Sequence, residues 1–371
     1  MKTRLASLAL LATSVAALTA FSASADQAAR PILDKFPGRH AYHALTEKVV
    51  KARKPAAALS SWNGGFTDLN GVSRHFTMVG PDPSSSNATT TIPFFVVPVI
   101  MKYPAFSDTV FNPRKDTYSD GETVLKNFLN SPLVKSEVKF KSGGQALGKT
   151  QYVDAFQRGN FWGAGVSKNS NYHVVLGSPT VLKPLKITVS SGQGVVEKNP
   201  FGPSQVGTYG FGAMDSQINS YIRAHSEITP DTFPFFISHN IFLTSGGCCI
   251  GGYHYSTSAS ASAQSYGYTT LVTDVGSFSQ DVSAASHEIS EWMDDPFPGL
   301  NIVGCFDNSW LEVGDPLEGR PNYGGIPYQV NGFTYNLQDE VYLGYFGAPR
   351  STSVGSLLSF NQLEQGVCPG Q

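Results

Sequence analysis

The chain has 371 residues, with 26 Lys+Arg against 28 Asp+Glu, a formal net charge of −2 and only 15% charged residues. That balance leaves no basic footprint for nucleic acid or for an anionic membrane surface. The length suffices to bury one large core or two modest ones, and 37 Gly with 12% aromatic residues suits a strand-rich exported protein with long loops.

Met1 to Ala25 reads as a secretory leader. Lys2 and Arg4 supply the basic start, Leu5 to Ala20 the apolar run and Ala23-Ser24-Ala25 the small-residue cleavage site. The run is short and rich in alanine and serine for a membrane span. The mature chain is expected to begin near Asp26, as a secreted or periplasmic monomer with no membrane insertion. Residues 26–86 read as an N-terminal arm or linker, with scattered surface histidines at His40, His43 and His75. Residues 87–371 form the main domain. Within it, Ile92 to Met101 is an apolar strand whose Pro93 and Pro98 push it towards a sheet edge or bulge. Glu122 to Asn130 is a short helix.

Gln151 to Trp162 is a helix with Tyr152, Phe156 and Gly159 on one side and Asp154, Arg158 and Phe161 on another. Asp154 and Arg158 at i, i+4 form an ordinary surface pair unless this helix lies beside that of His287. Tyr172 to Leu176 and Leu185 to Val189 are strands, and Phe211 to His225 is an amphipathic helix. Phe233 to Leu243 is read as one strand, Gly246 to Gly252 as a loop and Tyr268 to Asp274 as another strand, with Asp281 the N-cap of the next helix.

The four cysteines are Cys248, Cys249, Cys305 and Cys368. In an oxidising compartment they should pair, and adjacent cysteines rarely bond each other because the small ring strains the peptide between them. Cys248 and Cys249 are therefore expected to reach Cys305 and Cys368. A thiolate metal site would want close Cys-x-x-Cys pairs, which are missing.

Ser286 to Pro296 concentrates the chemistry. At about 100° per residue, Val282, Ala285, Ile289, Trp292 and Met293 form one apolar stripe. His287 and Glu291 point away from it, flanked by Glu288 and Asp295. A histidine and a carboxylate one turn apart reach a single cation, and Glu288 is placed to polarise a water there. The competing reading is a surface helix with a solvated acidic face. Pro296 stops the helix near Asp295, and further acids follow at Asp307, Glu312 and Asp315.

The block Ser286–Pro296, followed by Leu311–Pro316 and Gly332–Gln338, resembles a group of exported bacterial proteins with a His-Glu-x-x-Glu helix. More distantly it looks like the plant phosphate-induced/Exordium-like proteins, whose helix reads His-Glu-Leu-x-Glu-Ala-x-Thr-Asp-Pro. Asp294 stands where threonine is usual there. The resemblance implies an α+β, zincin-like fold with a mixed sheet and an active-site helix, to which the expected cysteine pairing adds disulfide-tied loops. It makes His287 and Glu291 metal ligands and Glu288 the general base, with Glu312 the third ligand ahead of Asp295 and Asp315. Asp315 would otherwise orient His287. His254, Tyr253 or Tyr255 would steady the oxyanion, while His254 reads equally well as a hydrogen-bonded structural histidine. Zinc is the first choice of cofactor, with calcium or manganese as alternatives, and the expected activity is a metal-dependent peptidase acting on peptide or protein. The rival is a non-catalytic secreted protein, binding cell-wall polysaccharide or other carbohydrate, in which Asp295, Glu312, Asp315 and Asp307 clamp a structural cation. A carboxylate-pair glycoside hydrolase is a third option, but it gives His287 no role.

Overall fold

Phe94–Tyr103 (β1) is apolar on both of its faces, the pattern of a strand covered on two sides rather than one. The computed structural model describes residues 57–67, 73–199, 202–258, 260, 262–274, 281–297, 313–314, 325–342, 357–361 and 364–365, all within the unit Gly38–Gln371. Here β1 is a central strand, not an edge. It pairs in parallel with Leu185–Thr188 (β2) on one flank and with Phe233–His239 (β3) on the other. Pro93 precedes the strand. Pro98 stands opposite Ile237 at the last rung of the β3 ladder, one residue before the β2 ladder begins at Val99. On the β2 flank Thr180–Val181 pairs with Phe95 and Val96 before Leu185 takes over at Val99, and on the β3 flank Thr109–Phe111 takes over at Met101. The missing N–H of Pro98 therefore falls where β1 changes partners, and neither ladder loses a bond within its run. Gly252–Ser256 (β4) and Ser265–Leu271 (β5) complete the path, β5 parallel to β3 and β4 antiparallel on the outside, in the order β2-β1-β3-β5-β4.

Alternation along these strands builds two cores. Phe94, Val96, Phe233, Phe235, Ile237 and Leu271 face one side. There they meet Val124–Asn130 (α1), Tyr152–Asn160 (α2) and Ser283–Asp294 (α4). Val97, Val99, Met101, Phe236, Tyr266 and Tyr268 face the other side and pack against Met214, Ile218 and Ile222 of Phe211–Ala224 (α3). The protein is thus a mixed α+β fold, rich in sheet and with few helices. None of the described helices is long and apolar enough to cross a membrane. Part of the stretch read as an N-terminal arm is built into the first core. Ser61–Thr67 pairs with Ser73–Val79, and Phe76, Met78 and Val79 are buried there.

Three expectations are corrected. The single strand over Phe233 to Leu243 breaks at Asn240, whose φ of 52° is left-handed, a region asparagine tolerates better than most residues. Ile241–Thr244 then joins a separate four-stranded sheet with Val196–Lys198, Gln205–Gly210 and Cys248–Ile250. Cys248 and Cys249 bond each other rather than distant partners. The peptide between them is cis, which brings their Cα atoms to 3.1 Å and lets the two sulfurs meet. Cys305 and Cys368 lie outside the described residues. The loop read over Gly246 to Gly252 instead holds the short strand Cys248–Ile250 and the first residue of the next strand, Gly252-Tyr253-His254-Tyr255-Ser256, the outer strand β4.

α4 is fixed on the sheet by Trp292, which stacks on Phe233 with centroids 3.7 Å apart and donates its indole N–H to Ser265 Oγ at 2.9 Å. Its start is fixed differently from the expected cap. Val282 occupies the N-cap, with no side-chain cap, and Asp281 precedes it at a φ of 37°. The Asp281 carboxyl accepts the N–H of Val282 and both the backbone and side-chain N–H of Asn336. Asn336 belongs to the hairpin of Ile326–Val330 (β6) and Phe333–Leu337 (β7), so one carboxyl joins the hairpin to the helix. Burial pushes its pKa up to about 7, against the three hydrogen bonds that favour the ionised form.

An acid with a folded-state pKa above its unfolded one contributes its full stability below the unfolded value and loses it as pH rises towards the folded value. Chelator-treated protein should therefore lose stability between about pH 4 and pH 7 through this group, by no more than about 4 kcal/mol. Asp281→Asn should flatten that slope in urea unfolding measured across the window. An unchanged slope in the variant would show that Asp281 does not titrate this way.

Candidate metal centre

Every chemically capable residue of α4 is buried. His287 and Glu288 are each 1% exposed, Glu291 and Asp294 0%, and Asp295, the C-cap, 1%. A solvated acidic face is thereby excluded, because ionised carboxylates are not placed in a dry interior without compensation. α4 packs with one side on β5 and β4, and that contact brings in a residue far away in sequence. His254, on β4 and 2% exposed, points at the helix. Its Nδ1 lies 3.4 Å from Glu288 Oε2 and 3.9 Å from Glu291 Oε2. Gly252, on the same strand, allows this approach, since a Cβ there would stand only 2.7 Å from Glu288 Cγ.

The donor atoms of His254, Glu288 and Glu291 all lie within 4.8 Å of one another, a grouping that can hold a metal ion. His287 adjoins it through Glu291, its Nε2 being 2.9 Å from Glu291 Oε2. The proton positions follow from the neighbours. Gln338 Nε2 donates to Gly314 O at 3.1 Å, which turns Gln338 Oε1 towards His287 Nδ1 at 2.8 Å. Nδ1 therefore carries a proton, and in the neutral ring the lone pair of Nε2 faces a carboxylate oxygen. Two lone pairs at that distance repel unless a proton or a cation lies between them. Glu291 is anchored at its other oxygen, Oε1, by the N–H of Gly314 at 3.1 Å. The buried grouping of His254, Glu288 and Glu291 could hold a metal ion, and His287 is joined to it through Glu291.

The wider electrostatics agree. Burial opposes a charged His254, yet Glu288, by hydrogen bonding and charge, and Glu291 and Asp295 behind it outweigh that and raise its pKa. Burial pushes Asp295 up to about 7, with His254 pulling the other way and Glu291 adding to the rise. Burial, then the charge of Glu291, drives Asp294 well above the usual carboxylate range. Glu340 is driven up in the same way by burial, with His287 opposing and Glu291, Asp339 and Asp294 reinforcing. This much unfavourable negative charge in one place is what a bound cation relieves.

Of the expected site residues, His287, Glu288, Glu291, Asp295 and His254 are brought together. Glu312, Asp315 and Asp307 lie outside the described residues. Between the first two, Val313 is buried and Gly314 lies so close to the His287 ring that a Cβ would overlap it. Tyr253 and Tyr255 are removed from the site. They point to the opposite face of the sheet, with the hydroxyl of Tyr253 donating to Asp215 Oδ1 at 3.3 Å and Tyr255 packed on the second core.

The Asp154–Arg158 surface pair is also corrected. α2 does lie beside α4, with Gln157 Nε2 donating to Met293 O at 3.5 Å, and both charged residues are buried. Asp154 accepts from Thr150 Oγ1 at 2.6 Å and Val174 N at 2.7 Å and meets His173 Nδ1 at 2.7 Å. Arg158 donates to the carbonyls of Leu147, Ser170 and Tyr172.

Sequence reasoning missed Gln338, which orients His287, and the fully buried Glu340, whose carboxylate has no hydrogen-bond partner among the described residues. The signal was a polar triplet, Gln338-Asp339-Glu340, directly after an alternating strand in a chain poor in charge.

No protein-family model matches this chain, and comparison with curated proteins and with solved structures gives no match.

Replacing Gln338 by leucine removes the acceptor that fixes the His287 tautomer. Metal affinity, measured by competition with a chromogenic chelator, should fall about 10- to 100-fold. An unchanged affinity would remove Gln338 from the site.

Proposed function

We propose that the protein is an exported metal-dependent peptidase with a zincin-like site, in which His287, Glu291 and His254 hold the ion and Glu288 is the general base. The observation that carries this reading is the buried convergence of His254, Glu288 and Glu291, with His287 Nε2 directed at Glu291. The leader-like Met1–Ala25 supports export, and the resemblance of Ser286–Pro296 to exported proteins with a His-Glu-x-x-Glu helix supports the assignment of roles. His254 takes the place first given to Glu312 as third ligand. A second imidazole favours zinc, with manganese next. Calcium is disfavoured because it takes six to eight oxygens.

When bound, the ion supplies Lewis acidity towards the substrate carbonyl and the attacking water. Gly314 orients Glu291 and Gln338 orients His287, so both ligands are held towards the ion. Glu288 has the role that remains. It takes the proton of the attacking water and returns it to the departing amine, so that a neutral amine leaves and an acid is formed.

The closure of the site favours a second reading. All of these donors are at most 2% exposed, and structural metal sites are closed where catalytic ones keep an open position. In that reading the ion rigidifies a secreted protein that binds cell-wall polysaccharide or other carbohydrate.

Protein purified without chelator should contain close to one equivalent of zinc or manganese, and Glu291→Ala should contain little. Glu288→Gln should retain the metal while cleavage of denatured protein or peptide libraries falls by about 100-fold or more. Metal-loaded protein whose chelation lowers the melting temperature but which cleaves no peptide establishes the second reading. Metal-free protein indifferent to added zinc, manganese and calcium defeats both.

A further inference from the structure

A second group of reactive side chains lies at the other end of the sheet. β1, β3 and β5 are parallel, and in such sheets ligands bind beyond the carboxyl ends of the strands. His239 is the last residue of β3 and Thr273 lies two residues past the end of β5. Six residues of extended chain separate Thr273 from Gly267, the register partner of His254. At about 3.3 Å per residue this is about 20 Å from the metal centre.

His239 Nδ1 meets Asp116 Oδ2 at 2.8 Å, and His239 Nε2 meets Thr273 Oγ1 at 2.6 Å. Asp116 is held in turn by the N–H of Asn112, which donates to the same oxygen at 2.6 Å. Asn240 fixes the directions of the remaining hydrogens. Its Oδ1 accepts the N–H of Thr273 at 3.0 Å, so its Nδ2 donates to Thr273 Oγ1 at 3.3 Å. With the proton of Nδ1 directed at the carboxylate, Nε2 is the acceptor and the threonine hydroxyl the donor. A hydroxyl that donates to an imidazole while accepting an amide N–H is set up to lose its proton and keep the electron pair. Asn240 holds this geometry at a left-handed φ of 52°, and the neighbouring Asp274 is locked by Asn199 and Ser204. The base is buried at 6% exposure, whereas Thr273 is partly exposed. That is the disposition of a nucleophile with a sheltered base and a third group orienting the base.

We infer that Thr273, His239 and Asp116 form a hydroxyl–imidazole–carboxylate relay that transfers acyl groups from carboxylic esters to water. Thr273 Oγ1 bonds to the ester carbonyl carbon while its proton passes to His239 Nε2. The C–O bond to the alcohol then breaks and the alcohol leaves with that proton. Water repeats the sequence on the threonine ester, releasing the acid and restoring the hydroxyl. Asp116 holds the imidazole in the tautomer that accepts. None of these steps uses the metal centre.

The full chain, kept in chelator to silence the metal centre, is assayed with 4-nitrophenyl acetate. Hydrolysis above the protein-free rate is expected, falling about 100-fold or more in Thr273→Val and in His239→Gln and restored to within about tenfold of wild type in Thr273→Ser. Acid quenching of the unaltered protein, followed by peptide mass mapping, should find the acetyl group on Thr273, a readout independent of how any variant folds. Hydrolysis no faster than without protein, an unchanged rate in Thr273→Val, or acetylation only at other residues would each overturn the relay and leave His239 as a tie between strand end and loop.

Discussion

The structure depends on how negative charge is held in its interior. Glu288, Glu291, Asp294, Asp295, Asp339 and Glu340 are all buried, in a chain with few charged residues overall. Burying even one ionised carboxylate is costly, and several together cannot remain ionised unless protons, imidazoles or a cation compensate. The upward shifts at Asp294, Asp295 and Glu340 express this conflict. His254 and His287 supply the nitrogen partners. Much of the remaining fold serves to bring the His254 ring to the helix that carries His287.

That service is done by apolar packing around the site. Trp292 stacked on Phe233 sets the height of α4 above the sheet, and Asp281 with Asn336 fixes its start against the hairpin. α2 lies along its other side, carrying Gln157 to Met293. Two glycines mark the closest approaches, Gly252 under Glu288 and Gly314 against His287. Because interiors are close-packed, side chains held this way have little freedom to reorganise, which is the condition both for ligand geometry and for an oriented base.

The two ends of the sheet carry different chemistry for reasons of topology. The outer antiparallel strand β4 brings His254 beside α4, while the parallel strands end together at His239 and Thr273. Alternation along β4 decides the first arrangement. Gly252, His254 and Ser256 face the helix, and Tyr253 and Tyr255 face α3 and the second core. The change of direction at Asn240 contributes to the second, since it ends β3 at His239 and presents an amide to Thr273.

The sequence alone determined what depends on local spacing. The helical period of Ser286–Pro296 identified His287, Glu288 and Glu291 as a group and Trp292 as part of the apolar stripe, because one helical turn brings i and i+4 together whatever surrounds it. α1, α2 and α3 were legible in the same way from apolar periodicity. Only the tertiary structure decided what lies opposite those residues. His254, Gln338 and Glu340 come from strands or strand ends distant in sequence, and register and sheet order, not local pattern, place them at α4. The central position of β1 was hidden by Pro98, whose missing N–H is harmless only because the strand changes partners there. The cysteine pairing was hidden as well, since a backbone conformation that brings neighbouring sulfurs together leaves no trace in spacing or composition.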